Sequence, residues 1–157
     1  EELAEVRAKV HVLIAADESI RRAADPFRVR DLGAADIAVL KVQPLGGVRA
    51  CLRIAENIDM PVVVSSAVET SIGLDASVAL AAALPDLPYA CGIATGHLLQ
   101  ADVVAQPVMP VQGQVPVIRN VLDETAFAAV KAPADIDYLW QARLAHVQEL
   151  LWPKVLR

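Results

Sequence analysis

A chain of 157 residues is the size of a single domain and can bury one substantial core. It is 55% hydrophobic but only 4% aromatic, and a net charge of −5 with dispersed Lys and Arg provides no basic stripe, which argues against nucleic acid and acidic membrane surfaces as partners. The mean hydropathy of +0.44 is high, yet no apolar run approaches the roughly 20 residues of a spanning helix and the first residues are acidic, unlike a signal peptide, so a cytoplasmic location is expected.

In chain order, residues 1–9 read as a helix preceding a first apolar run at 10–16, of strand length and ending in Asp17-Glu18-Ser19. Residues 19–32 carry Pro26 and fit a loop with a short helix. A second strand is expected at 37–42, followed by an amphipathic helix at 46–57 with Val48, Leu52, Ala55 and Ile58 along one side. A third strand at 62–64 leads into an Ala- and Leu-rich helix at 73–84, which Pro85 ends. A fourth apolar run spans 89–93. Strand and helix alternating with short links imply parallel strands and right-handed crossovers, an α/β fold. The pattern breaks after Gln100, and 106–117, with three prolines, reads as irregular or edge structure. A last helix is expected over 135–151, with Ile136, Leu139, Trp140, Leu144, Val147 and Leu151 at helical spacing and Pro153 beyond its end. Cys51 and Cys91 lie in apolar segments and read as core thiols.

In parallel α/β domains the chemistry collects where strands end, so the polar residues closing each apolar run matter most. Lys41 interrupts Ala38-Val39-Leu40-Lys41-Val42, and a buried ammonium is costly unless it is paired or used. It is either a snorkelling or structurally paired lysine, or part of a proton-transfer site. Asp17 and Glu18 suit a turn or cap as well as a site. With Lys41 one strand later, a ligand for a hard cation such as Mg²⁺ becomes the better reading. Ser65 and Ser66 either cap the following helix, with Glu69 completing a capping box, or Ser65 and nearby backbone N–H groups receive a substrate carboxylate near a helix start. Gly92 allows close approach of a ligand to the backbone. His11, His97 and His146 are too scattered to form a site, and no GxGxxG or Walker phosphate loop is present.

Three stretches, Ala16-Asp17-Glu18-Ser19, residues 39–47 (VLKVQPLGG) and residues 64–73 (VSSAVETSIG), in this order and spacing, resemble the enolase superfamily. The resemblance covers residues 1–117 and implies the fifth to eighth βα units, the C-terminal half of a TIM-type barrel, with residues 118–157 as an extension ending in a helix. It implies Asp17 as a metal ligand, Lys41 as the catalytic cation facing the substrate, and Ser65 and Gly92 as substrate-binding residues, the backbone of Gly92 meeting a substrate carboxylate. The implied cofactor is Mg²⁺, with Mn²⁺ as a substitute, and the implied substrate is a small carboxylate. The likeness is greatest to the branch that removes a proton α to a carboxylate and then water, on the way to menaquinone. Sister activities are N-acylamino-acid racemase, dipeptide epimerase and muconate cycloisomerase, and a non-catalytic α/β binding module is the alternative from another class. Nothing in the sequence matches the family's other two metal carboxylates, its second-strand lysines or its capping domain. The expectation is therefore a chain completed by the remaining N-terminal half of the enzyme and inactive alone.

Overall fold

In a computed structural model of the protein, residues 1–155 are described. Leu156 and Arg157, the end of the expected extension, lie outside the described residues. The elements run α1 Glu2–Arg7, β1 Ala15–Ala16, α2 Asp25–Asp31, β2 Ile37–Lys41, α3 Val48–Asn57, β3 Val62–Ser65, α4 Ser71–Ala83, a 3₁₀ turn at Thr95–Leu98, α5 Glu124–Ala129 and α6 Ala134–Val155. The sheet is parallel in the order β1-β2-β3, and a single bridge between Ser65 and Gly92 adds a fourth position.

Successive strand residues point to opposite faces, and here the two faces have different fates. Ala38, Leu40 and Val42 with Val62 and Val64 join Val29 of α2, Cys51 and Ile54 of α3, and Leu74 and Val78 of α4 in one buried core. Full burial of a Leu or Val contributes about 1.5–3 kcal/mol, so this helix-covered layer dominates the fold's stability. Ile37, Val39 and Lys41 alternate to the other face together with Val63 and Ser65. Two ends are pinned locally. At the end of α2, Gly33 (φ +56) closes a Schellman turn in which its N–H donates to Arg30 O at 2.8 Å and Ala34 N–H to Val29 O at 3.0 Å. Below the sheet, Arg7 of α1 donates to Asp36 Oδ1 at 2.9 and 2.6 Å, while Asp36 Oδ2 accepts the Ile14 N–H at 2.8 Å.

Several expectations change in detail. The run at 10–16 yields only two strand residues, because ladder pairing with β2 begins at Ala15; Ile14 is tied to the residues 36–37 segment, and Val12 and Leu13 stand 68% and 60% exposed. The run at 89–93 shrinks to the bridge at Gly92. Helix α3 starts at Val48 rather than 46, since Gly46 and Gly47 hold φ of +91 and +106, outside the helical region. Its buried line is Cys51, Ile54 and Ile58, with Val48, Leu52 and Ala55 flanking it. Helix α4 ends as expected, Leu84 adopting the extended conformation that a following proline imposes. The irregular region contains one tight antiparallel turn, with Val111 and Gln114 paired across Gln112 (φ +51) and Gly113 (φ +77). Helix α5 has no counterpart among the expected elements; Asp123 caps it by accepting the Ala126 N–H at 2.8 Å. Helix α6 runs on through Pro153 instead of stopping before it, and its residues from Ala134 to Leu151 are exposed. Cys51 is fully buried, Cys91 half-buried, and both are free thiols.

Candidate active site at the strand ends

Parallel pairing aligns Lys41 with Ser65, and the bridge aligns Ser65 with Gly92, so three adjacent sheet positions carry these residues at one level. Lys41 and Ser65 share the face not covered by helices. Only 9% of the Lys41 side chain is exposed, yet its charge is compensated. Its Nζ lies 2.6 Å from Asp17 Oδ1, just beyond β1, and donates to Glu18 Oε1 at 3.4 Å. Glu18 is in turn ion-paired with Arg21, one turn further on. Asp17 Oδ1 is buried but accepts no well-aligned hydrogen bond, so its approach to Lys41 is a charge contact rather than a directed bond. Both adjacent carboxylates thus converge on Lys41, and Glu18 is shared with Arg21.

The two adjacent serines have different roles. Ser66 Oγ donates to Gly92 O at 3.0 Å and shares a 2.8 Å hydrogen bond with Thr95 Oγ1, which ties the loop after β3 to the segment after Gly92. Ser65 Oγ has only long contacts, 3.5 Å to Ser66 O and 3.3 Å to Gly92 O, and stays available to a ligand. The Gly92 N–H is committed to Val64 O at 2.9 Å and its carbonyl accepts the Ser66 N–H at 3.0 Å. What glycine contributes here is space: a Cβ at Gly92 would lie 3.0 Å from Ser65 Oγ. The capping-box arrangement does not form. Thr70 is the N-cap of α4 without a side-chain bond, and Glu69 Oε1 instead accepts the Ala67 N–H at 2.9 Å. The start of α4 is served from a distance by Asp102, whose carboxylate accepts the Ser71 N–H.

The carboxylate on this face nearest to a cation role is Asp17, whose Oδ1 is already ion-paired with the Lys41 ammonium at 2.6 Å. Among the described residues no group of three His, Cys, Asp or Glu side chains converges to hold a metal. His11, His97 and His146 are all exposed. Sequence reasoning missed Asp102; the available signal was a lone carboxylate within the apolar stretch Ala101-Asp102-Val103-Val104. Among the described residues no helix is long and apolar enough to cross a membrane.

Comparison with known proteins gives this row of residues a context, because a family model described as Enolase C-terminal domain-like matches residues 1–121. The chain belongs to that family. Among curated relatives, an o-succinylbenzoate synthase of Thermobifida fusca (strain YX) is 63% identical over 158 residues, an alignment covering 100% of this chain and 48% of that protein. One of Mycobacterium tuberculosis (strain ATCC 25618 / H37Rv) is 50% identical over 152 residues, covering 97% and 46%. The chain therefore spans about half the length of the curated relatives it matches. Among solved structures, a muconate lactonizing enzyme from Pseudomonas putida aligns with TM-score 0.72 at 30% identity, over 81% of this chain and 38% of that one. A muconate lactonizing enzyme from Pseudomonas fluorescens, complexed with muconolactone, aligns with TM-score 0.74 at 30% identity, over 81% and 36%. The parallel α/β half-barrel expected from the motifs is the fold of this family.

Proposed function

We propose that this chain forms the C-terminal barrel half of an o-succinylbenzoate synthase, a lyase of menaquinone biosynthesis that removes a proton α to a carboxylate and then water. The observation that carries the reading is the level row Lys41, Ser65, Gly92 with the Asp17 carboxylate 2.6 Å from the Lys41 ammonium. Relatives of that name at 50% and 63% identity support it.

A proton beside a carboxylate is very weakly acidic, and its removal leaves an ene-diolate whose charge must be met by fixed cations. Lys41 suits that role, because strand β2 fixes its backbone, burial strips water from its stem, and the two carboxylates hold its ammonium where an anion is to develop. Asp17 is the ligand this chain offers to Mg²⁺, which when bound supplies Lewis-acid stabilisation of the same charge. Further carboxylates for that ion, and the base that takes the proton, come from residues outside the described ones, in the remaining half of the protein. Ser65 donates its loosely held hydroxyl to a second carboxylate of the substrate, across the space that Gly92 leaves open. Residues 1–117 form the barrel part, residues 118–157 an extension, and the whole protein acts in the cytoplasm on a small carboxylate.

The structural likeness to muconate lactonizing enzymes keeps a sister activity as the second reading, since a lysine and a metal carboxylate would serve either reaction. Assaying the full-length protein with Mg²⁺ separates them. Dehydration of the cyclohexadiene carboxylate to an aromatic product is expected, and racemisation or cycloisomerisation without dehydration would overturn the synthase reading.

A further inference from the structure

The loop joining β3 to α4 begins at Ser66 beside the candidate site, and its backbone is under strain. Val68 holds φ +65, a left-handed conformation that a β-branched side chain rarely tolerates. Such a loop keeps its shape only if its surroundings impose it. Two ties do so. One is the Ser66 hydroxyl bonded to Gly92 O and Thr95. The other is Asp102, which lies 31 residues from Ser71 in sequence and is 8% exposed.

Asp102 gathers three donors. Its carboxylate accepts the Ser71 N–H at 3.1 and 2.9 Å, the Ser71 hydroxyl at 2.7 Å and its neighbour Val103 N–H at 2.6 Å. The Ser71 oxygen, 1% exposed, accepts the Val108 N–H at 2.8 Å. One buried carboxylate thereby fixes the start of α4, the end of the strained loop, and the backbone at residues 102–108. It also takes the place that the N-terminus of α4 would otherwise offer to an anion. A substrate carboxylate is then left to the Ser65 hydroxyl rather than to the helix start.

We propose that Asp102 is a positioning residue for the carboxylate-receiving ledge of Ser65 and Gly92, acting through Ser71 and the strained loop without touching substrate. The proposal rests on the synthase reading of the site. Asp102→Asn removes the charge and turns one acceptor into a donor that faces Ser71; Ser71→Ala is the milder variant, deleting the hydroxyl that links Asp102 to Val108. Both are made in the full-length enzyme and read by steady-state kinetics and by hydrogen exchange over residues 66–72. In whichever variants fold, KM is expected to rise on the order of tenfold with kcat nearly unchanged, because a displaced binding group costs affinity before chemistry. Exchange in 66–72 is expected to quicken alongside. A wild-type KM in a folded Ser71→Ala variant, or a lowered kcat at unchanged KM, would overturn the role of Asp102 and assign it to stability alone. Absence of dehydration by the wild-type enzyme would instead overturn the reading of the site, and this proposal with it.

Discussion

Replacing Lys41 by Met in the full-length enzyme separates charge from packing. The Met side chain matches the lysine stem in length and shape, and only 9% of the lysine is exposed, so the cavity stays filled. What disappears is an ammonium facing the proposed ene-diolate. At about 4 Å and an effective dielectric constant of about 20, a unit charge pair is worth about 4 kcal/mol. At about 1.36 kcal/mol per decade this predicts a loss of roughly 10³-fold in kcat. The stability cost should be far smaller. Asp17 is 42% and Glu18 69% exposed, so both carboxylates can turn toward water once the ammonium is gone, and a change of about 1 kcal/mol or less is expected. Initial rates of aromatic product formation, alongside a thermal melt, test both halves of the argument. A variant that melts like the wild type and keeps kcat within about tenfold would refute a charge-stabilising role for Lys41.

Three other outcomes follow from the geometry. Gly92→Ala places a Cβ 3.0 Å from Ser65 Oγ, so the hydroxyl must leave its rotamer at a cost of about 0.5–1.5 kcal/mol, and KM should rise up to roughly tenfold, with an unchanged KM excluding Ser65 from binding. The Arg7 guanidinium and the Ile14 N–H hold the Asp36 carboxyl below its ordinary value of 3.8, so the stability it confers is present above that value and is lost as pH falls through the lower folded one. Asp36→Asn should therefore weaken the fold at neutral pH and flatten its acid limb below about pH 4, as measured by urea midpoints across pH. Expressed alone, the 157-residue chain should self-associate at micromolar concentration, because Val12, Leu13 and the apolar residues of α6 are exposed, and a monomer by gel filtration at all concentrations would contradict this.

Lys41 and Asp17 were legible in the sequence because each breaks an apolar run, and a charge in such a run must be compensated whatever the fold. Their mutual contact was legible too, since consecutive parallel strands bring their ends together. Ser65 rather than Ser66 came from the resemblance and not from alternation, which places neighbours on opposite faces without saying which face is covered. In the structure both serines reach Gly92 O, contacts across 26 to 27 residues that no local pattern shows. Asp102 escaped for the same reason, its partner Ser71 lying 31 residues earlier. Strand lengths were overestimated wherever ladder pairing was lacking, as at 10–14, since apolar pattern marks the capacity to pair and not the pairing itself. The α6 pattern was legible as a helix, but nothing in periodicity reveals what, if anything, covers its apolar side.

The way the site is divided follows from which distances the chain controls by itself. The backbone spacing of Lys41, Ser65 and Gly92 is set by hydrogen bonds between neighbouring strands, and Asp17 follows directly on β1, so strand pairing places all four backbones and leaves the loop after Ser65 to the ties at Ser66 and Asp102. These are the groups assigned to receive charge, and such groups act best when rigid before substrate arrives. On the proposed reading a metal ion needs several ligands, no group of three converges among the described residues, and the ion's affinity would depend on how well the rest of the barrel closes against β1. Any loosening of that closure should therefore weaken metal binding before it disturbs the Lys41 row.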